Sequence, residues 1–160
     1  MSNEHIIAAA GGYCHTLALT KDGRVLTLGC GGDGQRGYGP VDDDKESVMT
    51  EAKATLKGEK LKISQIAAGA NHSVVLSACG KAFAFGSNEY GQCGTMLGVS
   101  TNEDGEDERP PIITPNLVKL PSDAARIVSV SAGYAHTALT DEKGQVFVFG
   151  QNDNGQLGLG

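Results

Sequence analysis

Apolar and polar positions in this chain alternate in short bursts, each closed by a glycine. VLTL at 25–28 ends at Gly29, KAFAF at 81–85 ends at Gly86, and VFVF at 146–149 ends at Gly150. A period of two bounded by glycine predicts β-strands. Ahead of each burst lies another strand-like run: TLALT at 16–20, SVVL at 73–76 and HTALT at 136–140. Lys21-Asp22-Gly23 joins the first pair as an Asp-Gly hairpin turn, in which Gly23 takes positive φ. Further strands are predicted over 6–10, 61–68, 116–120 and 126–131, behind a loose polar leader ending at His5. Only residues 47–57 offer a helical alternative, because Val48, Ala52 and Leu56 recur every four residues.

The bursts belong to a threefold repeat. Aligned on His15, His72 and His136, a glycine falls three residues before each (Gly12, Gly69, Gly133). Others fall eight after (Gly23, Gly80, Gly144) and fourteen after (Gly29, Gly86, Gly150). Two more sets follow at nineteen (Gly34, Gly91, Gly155) and twenty-two (Gly37, Gly94, Gly158). Fifteen of the 23 glycines therefore occupy five equivalent places, with 57 and then 64 residues between histidines. A fixed period of this size marks a repeat architecture.

The G-x-x-H-[S/T] and G-Q-x-G pieces resemble the repeats of the regulator of chromosome condensation family. The resemblance implies an all-β fold, a β-propeller of that type, of which three blades are present as a partial ring. On that basis residues 6–39 form a first repeat lacking its first strand, and 40–51 an acidic insert. Residues 52–97 form the second repeat, 98–115 a second acidic insert and 116–160 the third repeat. A strand around residues 52–56 would then open the second blade, in preference to the helix. Gln35-Arg36-Gly37 departs from the family pattern, which has Leu between Gln and Gly; the second repeat has Cys93 there. A full ring of the family has about seven such repeats. Remaining blades or a second chain are expected to complete it, since the end blades would otherwise leave apolar faces from IIAAA, LALT and VFVF uncovered.

Charge is unevenly spread. The net charge of −6 resides in the two inserts, in Asp42, Asp43, Asp44, Glu46 and Glu51, and in Glu103, Asp104, Glu106, Asp107 and Glu108, leaving the blades slightly positive. No basic stripe could neutralise several phosphates, so nucleic acid is not an expected partner. Nor is a membrane, with no long apolar run. No secretory signal is legible near the start, so a cytoplasmic or nuclear setting is expected. NEDGEDERPP at 102–111 has the composition of a mobile, solvated loop.

Candidate chemistry is sparse. Gly29, Gly31 and Gly34 match a dinucleotide fingerprint, but Gly37, Gly39 and Pro40 follow where a helix would have to open, so a structural turn is expected. Three equivalent histidines could suggest a metal. Their repeating neighbours suggest instead a turn in which imidazole and hydroxyl satisfy backbone groups. Cys14, Cys30, Cys79 and Cys93 hold four different places in the repeat with no C-x-x-C spacing, and read as reduced structural thiols. Cys14-His15 are adjacent along the chain, a poor nucleophile–base pair, and no G-x-S-x-G elbow occurs. The absence of Trp excludes the tryptophan photochemistry of related plant ultraviolet-B receptors. No catalytic residue, cofactor or metal is expected.

A non-enzymatic protein-interaction scaffold is the leading expectation; the acidic inserts, above all Asp42–Asp44 and Glu103–Glu108, read either as solubilising segments or as contacts for a basic partner, the solubilising reading coming first. The alternative is guanine-nucleotide exchange on a small Ran-like GTPase, the activity of the family's founding member, which involves a wedge-like hairpin inserted in a blade. Here both long inserts read as lying between blades, which places the scaffold first.

Overall fold

The computed structural model describes residues 4–39 and 49–159. Among them are fifteen β-strands and no helix. Three antiparallel sheets stand side by side as blades. The first has the order β1 (Ile6–Gly11), β2 (His15–Thr20), β3 (Val25–Gly29), β4 (Thr50–Ala52). Next come a small hairpin, β5 (Thr55–Leu56) and β6 (Glu59–Lys60), and then β7 (Ile63–Ala68), β8 (His72–Ser77) and β9 (Ala82–Gly86) of the second blade. A second hairpin, β10 (Ser100–Thr101) and β11 (Asp107–Glu108), precedes β12 (Ile112–Leu117), which pairs with β9. The third blade holds β13 (Ile127–Ala132), β14 (His136–Asp141) and β15 (Val146–Gly150). The first strands β1, β7 and β13 pack against one another in turn and so line the axis.

Blade membership differs from the sequence expectation. The strand expected to open the second blade closes the first, with Val25 opposite Ala52 and Thr27 opposite Thr50. Likewise Asn116 and Leu117, expected to begin the third blade, lie opposite Ala84 and Phe83 on the outer edge of the second. The first blade therefore has four strands rather than lacking one, and the third has three among the described residues. The reason is edge satisfaction. β3 and β9 end their hairpins with an open ladder edge, and the next extended segment fills it. Pro115 within β12 is tolerated because this strand lies at the sheet edge, where the register shifts.

Residues 49–57 show strand and turn rather than helix, with Lys57 at φ 52° turning the chain into β6; residues 47–48 lie outside the described region. The leader is also tied down near its end. Lys21 donates its amide to the His5 carbonyl at 2.8 Å, and Arg24 pairs with Glu4.

Burial follows blade position. Phe83 and Phe85 of the sandwiched second blade are 1% and 0% exposed, whereas Val146 at the start of the equivalent third-blade strand is 62% exposed. At the other end Ile6 and Ile7 are exposed, as expected of IIAAA. LALT behaves differently: Leu17 and Leu19 are fully buried, because their face of β2 meets the second blade.

Candidate protein-interaction surface

The blades are joined by a repeated latch that aims His15 and His72 forward onto the next blade. His15 Nε2 lies 2.9 Å from Ser73 Oγ of the second blade, and Ser73 Oγ donates to the Gln35 carbonyl of the first at 2.8 Å. The same set recurs at the next joint: His72 Nε2 lies 3.0 Å from Thr137 Oγ1, which donates to the Gln92 carbonyl at 2.7 Å. Since the hydroxyl proton goes to the carbonyl, the imidazole is the donor, with its proton on Nε2. The opposite nitrogens, His15 Nδ1 and His72 Nδ1, have no hydrogen-bond partner. Only the hydroxyl half of the expected arrangement satisfies backbone, and the imidazole reaches the neighbouring blade instead. Burial holds both rings neutral, lowering each pKa from 6.5 to about 4, and at His72 the proximity of two further imidazoles, which disfavours adding positive charge, contributes in the same direction.

The repeat glycines serve this joint. A Cβ on Gly12, Gly69 or Gly133 would overlap the ring of the histidine three residues on. A Cβ on Gly37 would meet the Phe85 ring at 2.7 Å, and one on Gly94 the Phe149 ring at 2.8 Å, so the last glycine of each G-Q-x-G turn receives an aromatic of the next blade. The glycines at the four repeat places that follow the histidine all have positive φ.

Arg36 fills the departure from the family pattern. Its side chain is 1% exposed; it donates to the Gly29 carbonyl at 3.2 Å and the Thr50 hydroxyl at 3.0 Å, and its guanidinium stacks 4.8 Å from the Tyr38 ring. Elsewhere an asparagine holds this turn, Asn88 accepting from the Cys93 amide at 3.1 Å and Asn152 from the Leu157 amide at 3.0 Å. The first repeat has Gly31 at the asparagine's place, leaving room for the arginine chain.

These joints are internal, so contact with a partner falls to what they display. The second insert forms a short hairpin, which its composition alone did not suggest. Ser100 pairs with Glu108 and Thr101 with Asp107. Asn102 Oδ1 accepts the amides of Asp104 at 3.0 Å and Glu106 at 2.8 Å, and Gly105 turns the tip at φ 82°. This local capping is what shapes the tip of the hairpin. The hairpin exposes Glu103, Asp104, Glu106, Asp107 and Glu108, with Arg109 bonded to Asp107 at its base. Beside it Met96 and Leu97 are more than half exposed. Because β9 and β12 are neighbours in one sheet, this hairpin is inserted within the second blade, not between blades. Asp42, Asp43 and Asp44 of the first insert lie outside the described residues.

Near the axis a second surface escaped the sequence reading. Tyr13 and Tyr134 are 81% and 74% exposed and, with Gly12, Ala70 and Gly133, border a groove of about 360 Å³. They are chained by backbone, Tyr13 donating to the Ala70 carbonyl at 3.0 Å and Ala70 to the Tyr134 carbonyl at 2.9 Å. Their shared place in the repeat, directly after the glycine, was the available signal. Among the described residues no group of three His, Cys, Asp or Glu side chains could hold a metal, and no helix is long and apolar enough to cross a membrane.

The regulator of chromosome condensation (RCC1) repeat matches residues 22–76 and 79–140, and a second model of the same repeat matches 6–35, 63–92 and 127–156. The regulator of chromosome condensation of Xenopus laevis is 41% identical over 91% of this chain and 30% of its own length. The human probable E3 ubiquitin-protein ligase HERC6 is 37% identical over 96% of this chain and 14% of its own. The ultraviolet-B receptor UVR8 of Arabidopsis thaliana is 33% identical over 98% and 32%. Among solved structures, Prp20p of Saccharomyces cerevisiae superposes with a TM-score of 0.70 at 28% identity, covering 96% of this chain and 32% of its own. Human WBSCR16 does so at 0.76 and 24%, covering 96% and 36%. The chain thus spans between 14% and 32% of the three sequence relatives, and it belongs to the regulator of chromosome condensation repeat family.

Proposed function

We propose, from membership of this family as the premise, that the chain is a non-enzymatic protein-interaction scaffold whose β10–β11 hairpin contacts a basic protein. One observation carries this reading: a capped hairpin with five exposed acids is held within the second blade beside exposed Met96 and Leu97. Exposed apolar side chains next to single-sign charge supply contact area and steering together. Prp20p, to which the chain is similar, has been characterised for binding to Gsp1p and histones. Histones are basic, so the same chemistry suits this hairpin. A nuclear setting goes with the reading.

A second reading is favoured by the hairpin's position. Guanine-nucleotide exchange on a Ran-like GTPase stood behind the scaffold because the inserts read as lying between blades. An insertion inside the second blade removes that objection.

Titration of the chain against a histone at low and high salt tests the first reading. Affinity should fall steeply with salt, and replacing Glu103, Asp104, Glu106, Asp107 and Glu108 by their amides should weaken low-salt binding by about tenfold or more. Amide replacement of Asp42, Asp43 and Asp44 assesses the first insert separately. Salt-independent binding, or binding unchanged in the hairpin variant, overturns the scaffold reading. Accelerated release of a fluorescent nucleotide from a loaded small GTPase would put exchange first.

A further inference from the structure

Spacing along the chain separates Cys14 from Cys30 by sixteen positions, yet the fold sets them face to face. In the β2–β3 ladder Thr16 lies opposite Leu28 and His15 opposite Gly29, so the next step of the register sets Cys14 opposite Cys30. The backbone confirms that step, the Cys30 amide donating to the Cys14 carbonyl at 2.8 Å. Directly opposed residues of a hydrogen-bonded antiparallel pair have Cα atoms about 5.5 Å apart. That lies within the ~4.4–6.8 Å that a disulfide spans. Directly opposed residues of a ladder project on one face, so the two thiols are neighbours, and Cys30 accordingly contributes to raising the Cys14 thiol.

Access is adequate. Cys14 and Cys30 are both half-buried, unlike Cys93, which is sealed in the core. A covering blade does not close this place off. In the second blade, which has a neighbour on each face, the equivalent Asn71 and Ser87 are also half-buried, with the same backbone bond at 2.8 Å. The third blade has Ala135 and Gln151 there, so the dithiol is confined to the first blade.

We propose that Cys14 and Cys30 form a thiol–disulfide redox site whose co-reactant is a small disulfide of the glutathione class. Burial, and then the neighbouring Cys30 thiol, push the Cys14 thiol up to about 11, which favours Cys30 for the first attack. The Cys30 thiolate attacks one sulfur of glutathione disulfide, breaking its S–S bond and releasing one glutathione thiolate, which takes up a proton. Cys14 then gives its proton to solvent and attacks Cys30 Sγ, displacing the second glutathione. Two cysteine thiols are oxidised by two electrons to one disulfide, and one glutathione disulfide is reduced to two glutathione thiols. The bond would tie the 12–14 segment to the turn after β3. Because Tyr13 adjoins Cys14, the freedom of an exposed aromatic of the axial groove is coupled to the redox state.

The test is peptide mapping by mass spectrometry of the native chain after exposure to excess glutathione disulfide. The expected result is a linked pair of peptides containing Cys14 and Cys30, lighter by two hydrogens than the reduced pair, within a single chain. Exposed Cys79 serves as the internal comparison, carrying glutathione without resolving it. Cys14→Ser should trap Cys30 as a stable glutathione adduct, and if that variant fails to fold, wild-type mapping alone decides. Three wild-type results each overturn the proposal: a persistent adduct on Cys30, a link between two chains, or no Cys14–Cys30 peptide while Cys79 reacts.

Discussion

Thr137→Val separates the inter-blade latch from the strand that carries it. The replacement is nearly isosteric and keeps a β-branched residue in β14, so the strand itself loses little. The lost hydroxyl is fully buried, donates to the Gln92 carbonyl at 2.7 Å and receives the His72 Nε2 proton at 3.0 Å. Valine leaves a buried carbonyl and a buried imidazole N–H without partners. Each such orphan costs about 1–3 kcal/mol, so the variant should be destabilised by roughly 3 kcal/mol. With a denaturant slope near 2 kcal/mol/M, the urea midpoint should fall by about 1.5 M. Thr16→Val is the internal control. Thr16 has the same repeat place and strand, but no blade precedes it among the described residues, so its loss should stay within about 0.5 kcal/mol. Equal losses at the two positions, or a Thr137→Val midpoint within error of wild type, would refute the latch as a source of inter-blade stability.

Acid should loosen the same joints. His15 and His72 are neutral in the fold with pKa about 4 against 6.5 when free, so the unfolded chain binds more protons between those values. Stability therefore falls as pH drops from about 6.5 to 4, by up to ~3 kcal/mol per histidine; denaturation midpoints across this range should show it, and His72→Gln should flatten the slope. Gly37→Ala and Gly158→Ala impose similar backbone strain, at φ 66° and 67°, but only the first drives a methyl into Phe85. Its thermal midpoint should therefore drop further, by several degrees, and equal shifts would count against the aromatic joint. Arg36→Leu should destabilise by about 1–3 kcal/mol although Leu157 is native at the equivalent place, because no asparagine holds the first turn. Adding Gly31→Asn should recover much of that loss, and additive effects in a double-mutant cycle would contradict the exchange of one turn support for the other.

By itself the sequence determined the repeat frame, the hairpin strands β1–β3, β7–β9 and β13–β15, and the positive φ of Gly23 in the first hairpin turn. These are local facts: a two-residue period, an Asp-Gly turn and a glycine at a fixed offset each act within a few residues. Tertiary structure decided what depends on a neighbour. β4 and β12 carry too little pattern to choose a blade, and the open edges of β3 and β9 chose for them. His15 and His72 are alike in sequence terms to any turn histidine; their hydroxyl partners lie 58 and 65 residues away on the next blade. The acidic hairpin was hidden because composition reports average solvation, whereas Asn102 caps particular amides. Cys14 and Cys30 meet only because antiparallel register turns a sixteen-residue separation into a single rung of a ladder. Periodicity encodes which face a residue presents, and only packing settles what that face meets.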